Sequence, residues 1–89
     1  MSPKVFNFYK TYLPRLLMEL KVKVGKRISQ LRKAKNLSQE KFSYEADIER
    51  TYLTHIENGR KNISLSTLEK ITAALGVSVK DFFDSKEFK

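Results

Sequence analysis

The chain has 89 residues, no cysteine and a formal net charge of +8 at pH 7. This length allows one domain with a single core, and the lack of cysteine excludes a disulfide framework and thiolate metal sites. Residues 1–37 carry ten Lys and Arg against one acid, whereas residues 38–89 carry eight against nine. Such a one-sided basic surface favours a polyanionic partner, nucleic acid above all, over ordinary solubility charge.

Residues 1–20 form an aromatic and aliphatic segment, MSPKVFNFYKTYLPRLLMEL. Apolar residues repeat at helical spacing on both sides of Pro14, which is expected to break or start a helix. The segment favours a dimer contact or a flap over the core, while a mobile tail and a natural start at Met18 stay open as alternatives. It lacks the cleavage site of a secretory signal, and no apolar run approaches the roughly 20 residues of a membrane span. We therefore expect a cytoplasmic protein with no membrane partner.

The remaining residues, 21–89, predict five helices, and no segment alternates with the period of a strand. The predicted bounds are about 22–35, 39–46, 50–58, 65–75 and 79–83. Serine N-caps and Asn or Gly stops mark them: Ser38, Ser64 or Ser66, and Ser78 before helices, and Asn36, Gly59 and Gly76 after them. Each of the first four carries apolar residues one turn apart, which predicts a single core containing Val24, Ile28, Leu31, Phe42, Ala46, Leu53, Ile56, Leu65, Leu68, Ile71 and Leu75.

Residues 37–61 are typical of two short helices joined by a tight corner. One corner residue needs a positive φ, and Asp47 is among the few residues other than glycine that tolerate it. The second helix leaves Arg, Thr and His side chains exposed on one face and is followed at once by Arg60 and Lys61. This shape and charge predict a helix that enters the major groove of DNA.

Base contacts are expected from the exposed face of the third helix. The guanidinium fork of Arg50 can bond O6 and N7 of guanine together. Thr51 can offer a methyl to thymine or a hydroxyl as donor, and His55 can donate to an acceptor. The predicted set is Arg50, Thr51, Thr54 and His55. The alternatives are a surface ion pair of Arg50 with Glu45 or Glu49, and a bystander role for His55.

Phosphate contacts are expected from other groups, which fix the register without reading sequence. Gln39 stands at the start of the second helix, where free backbone N–H groups attract an anion. The other candidates are Asn58, Arg60 and Lys61 at the end of the third helix, and Lys26, Arg27 and Lys33 on the first. Each lysine could equally belong to a solvated face.

Two further structural roles are predicted. Arg32 and Glu57 are expected to form an ion pair that joins the first helix to the third, because a half-buried carboxylate needs a cation. The fifth helix carries more apolar surface than it can bury in one subunit, which predicts a dimer interface at Val77, Val79, Phe82 and Phe83. With one His and no Cys, the chain offers no nucleophile–base pair and no metal site, so we expect no enzyme and no cofactor.

The stretch from Leu37 to Phe83 combines three motifs, LSQE, RTYL-x-x-IENG-R and LSTLEKI-x-x-ALGVS. It resembles the Cro/phage-repressor (Xre-like) helix-turn-helix family over about residues 22–84. Within that family it is most similar to controller proteins of restriction-modification systems, through Arg50-Thr51-Tyr52 and Arg60-Lys61-Asn62.

The resemblance implies an all-α, compact five-helix, lambda-repressor-like fold. It also implies a homodimer on a palindromic double-stranded DNA operator, with RNA polymerase as a further candidate partner. It adds Tyr52 to the phosphate-contacting set. Two residues depart from the family pattern, Asp47 where glycine is commonest and Glu49 where Ser, Thr or Asp is usual. Residues 1–20 match no part of the family and form an extension to the DNA-binding domain at 21–89.

These expectations describe a sequence-specific transcription regulator, a restriction-modification controller in the first instance. Two alternatives stay open from the sequence. The first is an antitoxin or phage-type repressor of the same fold. The second is a protein-interaction module that no longer reads DNA.

Overall fold

The fold is built from helices alone within the part of the chain that a computed structural model describes: residues 3–89 for the backbone and 19–89 for the side chains. The five helices are α1 (Pro3–Ala34), α2 (Gln39–Ala46), α3 (Arg50–Glu57), α4 (Leu65–Leu75) and α5 (Val79–Phe83). A 3₁₀ turn, Lys86–Phe88, follows α5. The predicted all-α class and the five helices are confirmed.

Helix α1 is much longer than the predicted first helix. It runs without a break through Pro14, so the helix break or start expected there is wrong. An interior proline removes one hydrogen bond and costs about 3 kcal/mol, which disfavours a helix without forbidding it. The roles suggested for residues 1–20 depend on side chains before Glu19, which lie outside the described residues.

Local capping explains why the shorter helices begin and end where they do. The hydroxyls of Ser38, Ser64 and Ser78 each accept a hydrogen bond, at 3.0–3.1 Å, from the backbone N–H three residues further on. Left-handed residues follow the helices, Asn36 after α1, Asp47 after α2 and Gly76 after α4. Helices α2, α4 and α5 therefore have the predicted bounds, and α3 ends one residue earlier than expected.

One core lies where α1, α2, α3 and α4 meet, and α5 closes it. Its buried apolar residues are Val24, Ile28, Phe42, Ala46, Leu53, Ile56, Ile71, Leu75 and Phe82. Leu65, which was predicted to be buried, is 79% exposed. It occupies the first turn of α4 at the edge of the buried stripe, where no described residue covers it.

Phe82 corrects the predicted dimer interface. Its side chain is fully buried in the core of its own subunit, so it cannot contact a partner. It packs edge-on against Phe83, with ring centroids 4.9 Å apart, and Phe83 packs in turn against Phe88, with centroids 4.8 Å apart. The C-terminal turn thus covers aromatic surface that the sequence assigned to a second subunit. Val79 remains exposed, and Val77 and Phe83 are half-buried.

A membrane crossing finds no support in the described helices, since none combines the required length with enough apolar residues.

Gly25 lets α1 approach the end of α3. A Cβ atom at this position would lie 2.2 Å from the carbonyl oxygen of Ile56 and 3.0 Å from that of Glu57. Both neighbours are backbone atoms, which cannot rotate away as the tip of a side chain could. The contact therefore requires glycine in the middle of a helix.

We predict that Gly25→Ala lowers the free energy of unfolding by about 1–3 kcal/mol, because α1 and α3 must separate to admit the methyl group. Alanine would stabilise an unconstrained helix by about 1 kcal/mol relative to glycine, so the sign of the effect is informative. Urea unfolding followed by circular dichroism measures it, with Lys26→Ala at the next, exposed position as the control. A Gly25→Ala variant as stable as the parent would contradict the close approach.

Candidate nucleic-acid interface

The corner between α2 and α3 is fixed by one left-handed residue and one apolar plug. Asp47 adopts φ 57° and ψ 48°, and its backbone N–H bonds back to the last turn of α2. Ile48 packs against the core, and Glu49 returns to extended backbone before α3 begins at Arg50. The direction in which α3 leaves the corner is therefore set by the backbone.

Helix α3 has a buried side and an outward side. Leu53 and Ile56 are buried in the core, so the residues on the opposite side of the helical projection face away from it. Arg50 and Thr51 are exposed, and Thr54 and His55, one turn further on, are partly exposed. The structure thus brings the four predicted base-contacting residues together on one face of α3.

Arg50 is held only weakly within the protein. Its guanidinium lies 3.9 Å from the carboxylate of Glu40, and the two side chains are 63% and 81% exposed. Exposed pairs at such a distance contribute about 0–1 kcal/mol. The partner is Glu40 of α2, whereas the sequence suggested Glu45 or Glu49. The guanidinium is available to a ligand at little cost.

A hydrogen-bonded network lies behind this face. Arg32 of α1 donates to both carboxylate oxygens of Glu57, at 2.7 and 2.9 Å, and to the carbonyl of Leu37 at 2.7 Å. The two side chains of the pair are only 9% and 5% exposed. The hydrogen bond to Glu57 raises the pKa of Arg32, so the cation persists at any accessible pH. The structure therefore places the predicted pair together and adds Leu37 to it.

Gln39 extends the network to the outward face. Its amide nitrogen donates to Glu57 at 3.1 Å, and its amide oxygen accepts from the hydroxyl of Thr54 at 3.0 Å. The Gln39 side chain, predicted to grip phosphate, is thus engaged within the protein. Sequence reasoning missed this bond, although Thr54 and Glu57 lie three residues apart on one edge of α3, a spacing that allows a shared partner.

Exposed polar and cationic groups surround the end of α3. Asn58, Arg60 and Lys61 are all exposed, and Gly59, with φ 74°, turns the chain between them. Tyr52 is half-buried against the core. Lys26 and Lys33 are exposed on α1. These positions are compatible with phosphate contacts.

Arg27 does not belong with these candidates. Its guanidinium donates to the carbonyl oxygens of Phe82 at 2.7 Å and Asp81 at 2.9 Å. It therefore caps the C-terminal end of α5, where the helix dipole attracts a cation. The sequence could not show this, because the two positions lie 55 residues apart.

We predict that Arg27→Ala lowers the free energy of unfolding by about 1–3 kcal/mol, since two charge-assisted hydrogen bonds to α5 are lost. Lys33→Ala, which removes an exposed cation from the same helix, should stay within about 0.5 kcal/mol of the parent. Chemical denaturation measures both variants. Equal stability of the two variants would show that Arg27 does not hold α5.

Among the described residues, no group of three or more His, Asp or Glu side chains is placed to hold a metal ion. The outward face of α3 offers a guanidinium, hydroxyls and an imidazole for hydrogen bonding, and exposed cations follow its end.

Comparison with known proteins agrees with this geometry. A family model described as helix-turn-helix matches residues 28–82. The chain belongs to this family, and the resemblance inferred from the sequence is confirmed.

Two relatives share most of the chain. It is 44% identical over 70 residues to control protein C.MunI of Mycoplasma sp, a match that covers 78% of this chain and 95% of the relative. It is 49% identical over 61 residues to control protein C.BamHI of Bacillus amyloliquefaciens, covering 67% of this chain and 75% of the relative.

A solved structure is also similar. The restriction-modification controller protein C.Esp1396I, as a tetramer in complex with its natural 35-base-pair operator, superposes with a TM-score of 0.70 at 35% identity. The match covers 73% of this chain and 86% of that one.

Proposed function

We propose that this protein is a sequence-specific DNA-binding transcription regulator that controls a restriction-modification system. The observation that carries the proposal is the outward face of α3, where Arg50, Thr51, Thr54 and His55 stand on a helix anchored to the core. A helix of this width fills the major groove, and these side chains can contact base edges there. The similarity to controller proteins, one of them in complex with its operator, supports the same role.

We extend the proposal to the rest of the chain. Residues 21–89 form the DNA-binding domain and residues 1–20 an extension to it. The protein is a cytoplasmic regulator without catalytic activity. RNA polymerase, named as a candidate partner from the sequence, stays a prediction.

We also propose that the protein binds a palindromic operator as a homodimer. A dimer places two copies of α3 about 34 Å apart, one turn of B-DNA, so that both enter the major groove on the same side. Val79 and Phe83 lie four residues apart on one face of α5. Phe83 also lines a cavity of about 220 Å³ together with Leu20, Ile63, Leu65 and Leu68. With the correction for Phe82, the proposed dimer surface consists of three exposed apolar residues and one half-buried residue: Leu20, Leu65 and Val79, and Phe83.

The function is tested by mobility shift with the DNA upstream of the chain's own gene against a scrambled duplex of equal length. We predict that Arg50→Ala loses about 1–3 kcal/mol of binding free energy and relaxes one base position, because a bidentate base contact disappears. Lys61→Ala is the matched control. It should reduce the salt dependence of binding by about one counterion without changing the preferred sequence. An Arg50→Ala variant with undiminished sequence preference would rule out its role as a base reader.

The dimer surface is tested separately. We predict that Leu65→Glu and Val79→Glu each raise the dimer dissociation constant at least about tenfold, because a buried, unpaired carboxylate is costly. Both side chains are substantially exposed in one subunit, 79% and 49%, so the monomer should still fold. Sedimentation equilibrium measures the association. Tyr44→Ser, which removes an exposed aromatic residue from α2, is the control. Unchanged association in both glutamate variants would place the interface elsewhere.

A further inference from the structure

Thr54 differs from its neighbours on the outward face of α3, because its hydroxyl is already used by the protein. A threonine hydroxyl has one proton to donate. In this structure it faces two acceptors at 3.0 Å, the amide oxygen of Gln39 and the backbone carbonyl of Arg50. Whichever of these two acceptors it bonds, the hydroxyl proton is used within the protein. Thr54 has no proton left to donate to N7 or O6 of a purine.

The orientation of the Gln39 amide is fixed, so its oxygen is the atom that faces Thr54. Its nitrogen donates to the carboxylate of Glu57, and a carboxylate can only accept. Turning the amide over would place its oxygen against Glu57 and its nitrogen against Thr54. Arg32 holds Glu57 from the other side with two short bonds. The acceptor that faces Thr54 is thus set by a chain of contacts that begins in α1.

The fixed hydroxyl also fixes the methyl group. Oγ1 and the methyl are the two branches at Cβ, so pinning one of them sets χ1 for both. Thr54 keeps part of its surface exposed on the face that it shares with Arg50. With its hydroxyl turned to Gln39, its methyl group is what it can offer outward. The apolar group that the major groove presents is the 5-methyl of thymine.

We propose that Thr54 is a thymine-reading residue that acts through its methyl group, and that Gln39 is its positioning residue. This proposal rests on the proposed function, since it assigns a specificity to one side chain of the same surface. It separates the two threonines of α3. Thr51 is exposed, and its hydroxyl bonds none of the described residues, whereas Thr54 has no donor to offer and presents its methyl group.

The experiment removes one methyl group from either side of the contact. An operator half-site selected by the wild-type protein is made with each thymine replaced in turn by uracil, which lacks only the 5-methyl. The dissociation constant is measured by fluorescence anisotropy for wild type, Thr54→Val, Thr54→Ser, Thr51→Ser and Gln39→Ala. Circular dichroism confirms that each variant is folded.

For wild type, one uracil substitution should weaken binding about three- to fivefold, the effect of losing one buried methyl group. Thr54→Val loses the hydroxyl, but valine has one strongly preferred χ1 rotamer in a helix and so keeps a methyl group in place. It should keep this ratio, even if it binds all DNA somewhat more weakly. Thr54→Ser keeps the hydroxyl and should bind the thymine and uracil duplexes equally at that position. Thr51→Ser should leave the ratio intact. For Gln39→Ala the ratio should fall, because the carbonyl of Arg50 alone allows a helical threonine two χ1 rotamers, and the methyl group then divides between two positions.

Other outcomes overturn the proposal. If Thr54→Ser retains the full ratio, if Thr54→Val loses it, or if Thr51→Ser abolishes it, Thr54 is not the methyl reader. If Gln39→Ala leaves the ratio unchanged, Gln39 has no positioning role. If wild type prefers the operator to a scrambled duplex but no uracil matters, only this inference fails. If wild type shows no preference at all, the proposed function fails with it.

Discussion

The pair formed by Arg32 and Glu57 is the interaction on which the outward face of α3 depends. Helix α3 has eight residues, too few to be stable in water on its own. Its first turn is held by the corner at Asp47 and its last turn by the pair. Buried ion pairs often add little net stability compared with apolar residues of the same size. This pair has a defined geometry, however, because N–H groups of Arg32 donate to two carboxylate oxygens and one carbonyl oxygen. The geometry of these bonds therefore fixes the orientation of α3 relative to α1.

The positive charge of the chain divides into two kinds of cation. Arg27 caps α5, Arg32 pairs with Glu57, and Lys35 donates to the carbonyl of Leu75 at the end of α4, at 2.9 Å. All three come from the basic N-terminal part of the chain, yet they hold helices together. Net charge therefore overstates the cation count available to a polyanion. The cations exposed at the surface, such as Arg60 and Lys61, are the ones that can release counterions from DNA.

Local signals in the sequence were enough for most of the fold. A serine before a helix and a left-handed residue after it fix its bounds within a few residues, and so α2, α4 and α5 came out as predicted. Asp47 could be placed because few residues tolerate a positive φ. The failures at Leu65, Phe82 and Arg27 share one cause. Each depends on where a segment far along the chain folds back, and residue spacing within one helix does not contain that information. Pro14 failed differently, because a local penalty was outweighed by the rest of its own helix.

The sequence was enough to place the four base-facing residues on one side of α3. It did not show how much conformational freedom each of these side chains keeps. Arg50 has only a weak, exposed partner, so its side chain must lose conformational entropy when it binds a base. The rotamer entropy of an arginine side chain amounts to about 2 kcal/mol. Thr54 has none to lose, because Gln39 and the backbone already hold it. A free guanidinium can adjust to small errors of docking and still bond a base, whereas a fixed methyl tolerates none. The surface thus combines an adaptable contact that contributes affinity with a rigid one that tests register, and both are set against the network that begins at Arg32.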